Sequence, residues 1–339
     1  MWVVANKTPY TADRTWVQDK HANKWWLVVV KATFDVGTDG STRIANEQLP
    51  VLQMGKHVSE PGKSSLTYEG DLFGVKTGTD VLVKGCAWTP VGKPVPAVDV
   101  DVNVGPIRKR LRVVGDRLWE RNLMGALVPS PARLFEQMPI QYERAYGGWD
   151  RASEEPADYR LDPRNPVGTG FATSLDHSLG MRLPNIEYHN QIIRSWKDRP
   201  DPAGLNAVEC HWSPRRELAG TYDDRWLQER FPLWAEDFDQ RYNSCAPLDQ
   251  QVQGFLRGGE AVHLSNLSPN GDLSFHLPKV FLGFETRFGQ KRLHHRGELC
   301  TLILEPEIPR VIMIWQMSFV CNDQVDELDM TVVTEKRAI

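Results

Sequence analysis

Residues 97–104 read AVDVDVNV, with valines at 98, 100, 102 and 104 alternating with Asp99, Asp101 and Asn103. A strict period of two describes a strand with one apolar and one solvated row, which has to pair with neighbours and pack against an apolar layer. Gly105-Pro106 then turns the chain into KRLRVV at 109–114, the expected antiparallel partner, whose Lys109, Arg110 and Arg112 would face the aspartates. The β-branched runs at 25–36 (WWLVVVKATFDV) and 81–91 (VLVKGCAWTPV) predict further strands. Near the C-terminus, AVHLSNL at 261–267 and DLSFHL at 272–277 flank Ser268-Pro269-Asn270-Gly271, a tight-turn signal. Runs at 279–288, 299–306 and 310–320 add more strands. Helix signals are short: 131–137, 223–230 with acids at its start, and 247–256 opening on Pro and Asp. The expected fold is mainly β with a few short helices (α+β), antiparallel sheets and long irregular central segments. One domain over 1–339 is expected, with β-rich parts at 1–130 and 261–339 around an irregular core at 131–260.

A chain of 339 residues with 41% hydrophobic content can build a substantial core. Forty basic against 44 acidic residues, a net charge of -4, do not suit a dedicated nucleic-acid binder. The start MWVVANKTPY lacks the basic-then-apolar pattern of a signal peptide, and the run at 25–30 is too short to span a membrane. A cytoplasmic location with no membrane partner is therefore expected. Cys86, Cys210, Cys245, Cys300 and Cys321 are odd in number and scattered, which predicts reduced thiols rather than a disulfide framework. Twelve tryptophans suit a strand-rich core and a protein or carbohydrate contact surface.

The segment 139–260 has little periodicity and a run of short phrases instead: PIQYERAYGGWD, RNPVGTGF, LPNIEYHN, WSPRRELAGTYDDRW, APLDQQ and LRGGE. None completes a reaction centre. Gly62-Lys63-Ser64 lacks the earlier glycine of a phosphate loop, and Gly168-Thr169-Gly170 follows no strand and lacks a third glycine. Ser174, Asp176 and His177 have hydrolase residue types but no nucleophile elbow. Cys210, His211, Cys245 and His189 could gather around zinc, yet only the first two are neighbours, and buried thiols with surface imidazoles are the expected reading. Glu154, Glu155, Glu236, Asp237 and Asp239 offer carboxylate pairs of the kind any solvated loop carries. No catalytic residue, cofactor or metal is expected.

The phrases instead predict a specified polar framework. If 142–146 is extended, Tyr142, Arg144 and Tyr146 share a face opposite Glu143, so that two phenol rings bracket a guanidinium. Gly147 and Gly148 allow a sharp turn after it. Trp212, Pro214, Arg215, Gly220, Tyr222, Asp223 and Trp226 mix rings, turn makers and guanidinium groups in the same way, and Asn185 and Gln250 join them. Asp249 and Glu260 are the expected acidic partners of the arginines.

In this order, YERAYGG at 142–148, NPVGTGF at 165–171, LPNIE at 183–187, WSPRRELAGTYD at 212–223, DFD at 237–239, PLDQQ at 247–251 and GGE at 258–260 resemble the adaptor proteins of bacterial type VI secretion, a family catalogued as a domain of unknown function. VVVKATFDV at 28–36 and KGCAWTPVG at 84–92 extend the likeness over nearly the whole chain. The resemblance implies a non-enzymatic cytoplasmic chaperone-adaptor. Its implied partners are a toxin effector, bound through a PAAR-like N-terminal region, and the VgrG spike, reached directly or through the effector. The chain departs from the family pattern at Cys300 and Gln316, where an aspartate and an arginine would stand, so a charge pair between those strands is not carried over. Loops 153–164 and 194–206 are expected to select the cargo on a rigid frame. A β-rich carbohydrate-binding or glycoside-active protein is the alternative.

Overall fold

The 25–36 run forms the strand Lys24–Val36, and its alternation decides the architecture. Trp26, Val28, Val30, Ala32 and Phe34 face one apolar cluster, while Leu27 and Val29 face another. A strand buried on both faces belongs inside a sheet with a layer on each side. The computed structural model describes residues 3–336, so Met1, Trp2 and residues 337–339 of the domain read over 1–339 lie outside the described residues. The chain is mainly β with a few short helices and several antiparallel sheets, as the patterning predicts.

The largest sheet has seven strands. Its order is Gln251–Gln253, Gly78–Val83, Glu298–Glu305, Arg310–Val320, Lys24–Val36 and Thr11–Gln18, with Thr42–Ile44 pairing the far end of Lys24–Val36. Two C-terminal strands thus sit between N-terminal ones. The pairing of Glu298–Glu305 with Gly78–Val83 is parallel, and the other ladders of this sheet are antiparallel. A five-stranded sheet runs Ile186–Tyr188, Ile107–Val114, Ala97–Val104, Ala261–Ser265, Leu273–His276, and a four-stranded one runs Val3–Asn6, Leu328–Lys336, Phe281–Phe288, Lys291–Arg296. Their apolar rows, including Val100, Val102, Leu264, Phe284 and Val333, join the Trp26 face of the large sheet in one core.

The predicted hairpin at 97–114 forms, with Arg110 opposite Asp101 and Arg112 opposite Asp99. The Arg110 pair closes to 2.7 Å and the Arg112 pair to 3.9 Å. Lys109 corrects the expectation, because it stands opposite Val102 on the apolar side and is buried there. The second hairpin also forms, but around a longer loop at 266–272 in which Asn266 and Gly271 take positive φ. Strand 81–91 breaks at Lys84-Gly85 into Gly78–Val83 and Cys86–Trp88. Of the helices, only Asp224–Glu229 forms as read, capped by Asp223. Residues 131–136 are irregular, and 247–256 holds one 3-10 turn, Leu248–Gln250, before a strand.

Irregular chain covers the second face of the large sheet. Leu66, Leu72, Ala207, Cys245 and Ala246 pack on Leu27, Val29, Leu82, Ile303, Ile312 and Ile314. A row of residues crosses this face in register, Lys31 to Ile314 to Thr301 to Asp80, and three of the four are polar. Lys31 Nζ meets Asp71 at 2.9 Å; Lys76 Nζ donates to Asp80 at 2.5 Å and to Thr301 at 2.8 Å, with all four charged groups buried. Cys300 is the unpaired residue of a bulge between Leu299 and Thr301, and Gln316 bonds backbone, accepting from Lys76 N and donating to Gly74 O at 2.9 Å.

Breaking one partner of a buried ion pair leaves a charge without compensation, at a cost of about 3–5 kcal/mol. Asp80→Leu should therefore lower the unfolding free energy by about that amount. The double variant Lys76→Met/Asp80→Leu should recover most of it. Urea denaturation of the two proteins measures both.

Candidate functional site

The phrases of the central segment meet around one cleft of about 640 Å³. Tyr142, Tyr188, Pro214, Arg215, Leu248 and Asp249 line it, and the lining is mostly apolar.

Tyr142–Arg144 is a single 3-10 turn, not extended chain, so Tyr142, Arg144 and Tyr146 do not share a face. The reason is tertiary: the Glu143 carboxylate accepts from Ser65 N at 2.7 Å and Ser65 Oγ at 2.8 Å, which pulls the turn closed. The buried Tyr142 ring meets Trp212 edge to face at 5.5 Å. Arg144 is partly exposed and donates to Asn185 Oδ1 at 3.1 Å; Asn185 in turn donates to Val114 O and Asp116. The stacking expected of Arg144 belongs to other arginines. Arg164 lies over Tyr146 at 5.8 Å, and Arg215 lies over Phe73 and Tyr242 at 4.9 and 5.5 Å.

Gly147 and Gly148 have φ of +143° and +96°, and a Cβ on either would run into the carbonyl oxygens of Asn165 and Gly168. That close approach lets the fully buried Asn165 donate to Tyr142 O at 2.7 Å and Tyr146 O at 3.0 Å. Gln250 plays the same part beneath the cleft, donating to Val81 O at 2.6 Å and Leu205 O at 3.0 Å.

Arg215 is buried, and it donates to Glu69 at 2.7 Å, Val208 O at 2.6 Å and Tyr242 O at 2.9 Å. Its acidic partner is Glu69, not Asp249 or Glu260 as expected. Asp249 instead accepts from Lys109 Nζ at 2.7 Å, and Glu260 accepts from Arg257 N at 2.7 Å. Burial pushes Lys109 down to about 8, against the pull of Asp249.

Beyond Arg215 the chain builds an aromatic lobe. Gly220 ends the 3-10 turn Arg216–Ala219, Asp223 accepts from Trp226 N at 2.8 Å, and Tyr222, Trp226 and Phe231 meet edge to face in sequence at 4.8 and 5.7 Å. Trp234, Phe238 and Tyr242 form a second ring group that reaches Arg215. Phe231 is 64% exposed and Leu227 57% exposed, while Leu218 and Arg241 connect the lobe to the cleft. Sequence reasoning named Tyr222 and Trp226 but missed Phe231, Trp234, Phe238 and Tyr242. Their recurrence every three to five residues was the available signal.

The remaining candidates have structural roles. Ser174 Oγ caps the short helix Leu175–Ser178 by accepting from His177 N, and His177 Nδ1 lies 2.8 Å from Asp150. Burial works against ionisation of Asp150, but hydrogen bonds from Thr173 and His177 hold it down at about 2. Ser64 Oγ donates to Glu60 O within its turn, and Gly168 packs against Asn165 and Gly147. Asp237 binds Thr221, and Asp239 binds Arg241. Cys245 lies beside Lys76 and Asp80, and His189 beside Asp99. Cys210 and His211 are joined by neither; Glu209 and His57 are their neighbours. No helix among the described residues is long and apolar enough to cross a membrane.

The buried lysine supplies a test of these electrostatics. Between about 8 and its ordinary 10.5, folded Lys109 has given up its proton while the unfolded chain still binds one, so its contribution to stability rises with pH through that window. Relative to Lys109→Met, the wild type should gain on the order of 3 kcal/mol from pH 7.5 to 10. Denaturant titrations of both proteins across that range measure the difference.

Residues 21–316 match the model of a family described as an uncharacterized protein conserved in bacteria, DUF2169. No curated protein and no solved structure matches the chain.

Proposed function

We propose, from membership of the DUF2169 family and from the ordered phrases, most of which reach the cleft, that the chain is a non-enzymatic cytoplasmic adaptor of type VI secretion. It holds a toxin effector through a PAAR-like N-terminal region and promotes loading on the VgrG spike. The observation that supports this reading is the aromatic lobe at 218–242 beside the cleft. Leu227, Phe231, Tyr222 and Leu248 expose apolar surface there, around a frame fixed by buried hydrogen bonds. Exposed rings on a rigid support are the usual anchors of a protein interface. Binding stabilises cargo by mass action and needs no reaction centre.

Co-expression with the effector encoded beside this chain tests the proposal. The effector should be soluble and secreted only when the chain is present; equal solubility and secretion without it would sink the reading. Leu227→Asp and Phe231→Asp should each weaken effector capture by about 2 kcal/mol or more. Their stability should change by no more than about 0.5 kcal/mol, because both side chains are exposed. Calorimetric titration and thermal melts separate the two effects.

A further inference from the structure

The turn at Glu209, closed by Trp212 N donating to Glu209 O at 3.2 Å, places three consecutive side chains around one point. The turn is anchored at both ends: Val208 N donates to Cys245 O at 2.7 Å, and the buried Trp212 ring packs on Tyr142. Ligand atoms of Glu209, Cys210 and His211 all lie within 4.8 Å of one another. Across the gap comes His57 from the short ladder of Lys56–His57 with Leu66–Tyr68, its Nε2 2.8 Å from Glu209 Oε1. The Glu209 side chain is only 7% exposed, its Oε1 faces His57 Nε2, and its Oε2 stands 3.7 Å from His211 Nδ1.

We propose that Glu209, Cys210, His211 and His57 form a binding site for a zinc-like divalent cation. Oxygen and nitrogen ligands held 2.0–2.2 Å from a tetrahedral ion stand roughly 3.3–3.5 Å apart, so the 3.7 Å between Oε2 and Nδ1 needs to close only slightly. A thiolate with two imidazoles and one carboxylate selects zinc and its transition-metal neighbours over magnesium or calcium, which prefer all-oxygen sets. The neighbouring Arg215 is paired with Glu69 at 2.7 Å and donates to Val208 O, which stabilises the turn. Binding converts the Cys210 thiol to a thiolate and releases its proton to solvent. Three donors come from one turn, and His57, drawn in through its contact with Glu209, would complete the set as a clasp between the His57 ladder and the wall of the cleft formed by Val208, Ser213 and Arg215. The site is independent of what the cleft binds.

Cobalt(II) added to the full, reduced chain is the probe. One equivalent should produce a thiolate-to-cobalt charge-transfer band in the near ultraviolet, and zinc should displace it. The band should vanish in Cys210→Ser and persist in Cys86→Ser, whose thiol is also only partly buried. His57→Gln should weaken zinc binding by about 10–100-fold. His211→Gln, at a side chain 53% exposed, guards against a Cys210 variant that fails to fold, and it too should lose the band. Absence of a band in the wild type, or a band that survives both Cys210→Ser and His211→Gln, overturns the proposal.

Discussion

A β-sheet covered on one face by irregular chain sets a problem that a sheet covered by helices does not. Helices satisfy their own backbone groups, whereas irregular chain pressed against an apolar face has none to spare for water. Here the covering layer includes segments near 66–76 and 203–246, and its carbonyls and amides are met by side chains. Asn165 serves Tyr142 O and Tyr146 O, Gln250 serves Val81 O and Leu205 O, Arg215 serves Val208 O and Tyr242 O, and Asp80 receives Cys245 N. Each such bond contributes only about 1 kcal/mol net, but leaving either partner unmet costs about 1–3 kcal/mol. The phrases of the central segment are therefore dense in Asn, Gln, Arg and Glu because the layer has no ladder of its own.

Charge inside this layer follows the same logic. Lys31, Lys76 and Arg215 are buried because Asp71, Asp80 and Glu69 are placed within 2.9 Å of them. Lys109 differs, since its partner Asp249 is partly open to the cleft while the ammonium is not. Burial then outweighs the single carboxylate and the lysine titrates low. The cleft thus borders a base that is weakly held in its charged form, on a wall otherwise made rigid by paired groups.

Much of the β architecture was legible because it depends on parity. The valines of 97–104 and the alternation of 25–36 name their buried faces directly. The error at Lys109 came from assigning a cation to the solvent side by type, although it shares parity with Ile107, Leu111 and Val113, which are buried. The candidate site was legible in composition and illegible in partners. Glu143 meets Ser65 across 78 residues, Arg215 meets Glu69 across 146, and His57 meets Glu209 at a comparable remove. Nothing local marks such pairs, so the sequence could name the arginines but not the acids that hold them. The 3-10 turn at Tyr142–Arg144 was missed for that reason, since its cause lies on another segment.

The interleaving of the large sheet has a consequence for synthesis on the ribosome. Lys24–Val36 and Gly78–Val83 emerge first, and Glu298–Glu305 and Arg310–Val320, the two strands that stand between them, emerge only after the long central segment. Until then the nascent chain presents open strand edges and the apolar rows of Trp26 and Leu27 on either side. Closure must wait for residues 298–320 and must place two strands in the middle, a non-local step of the kind that slows folding and exposes aggregation-prone surface.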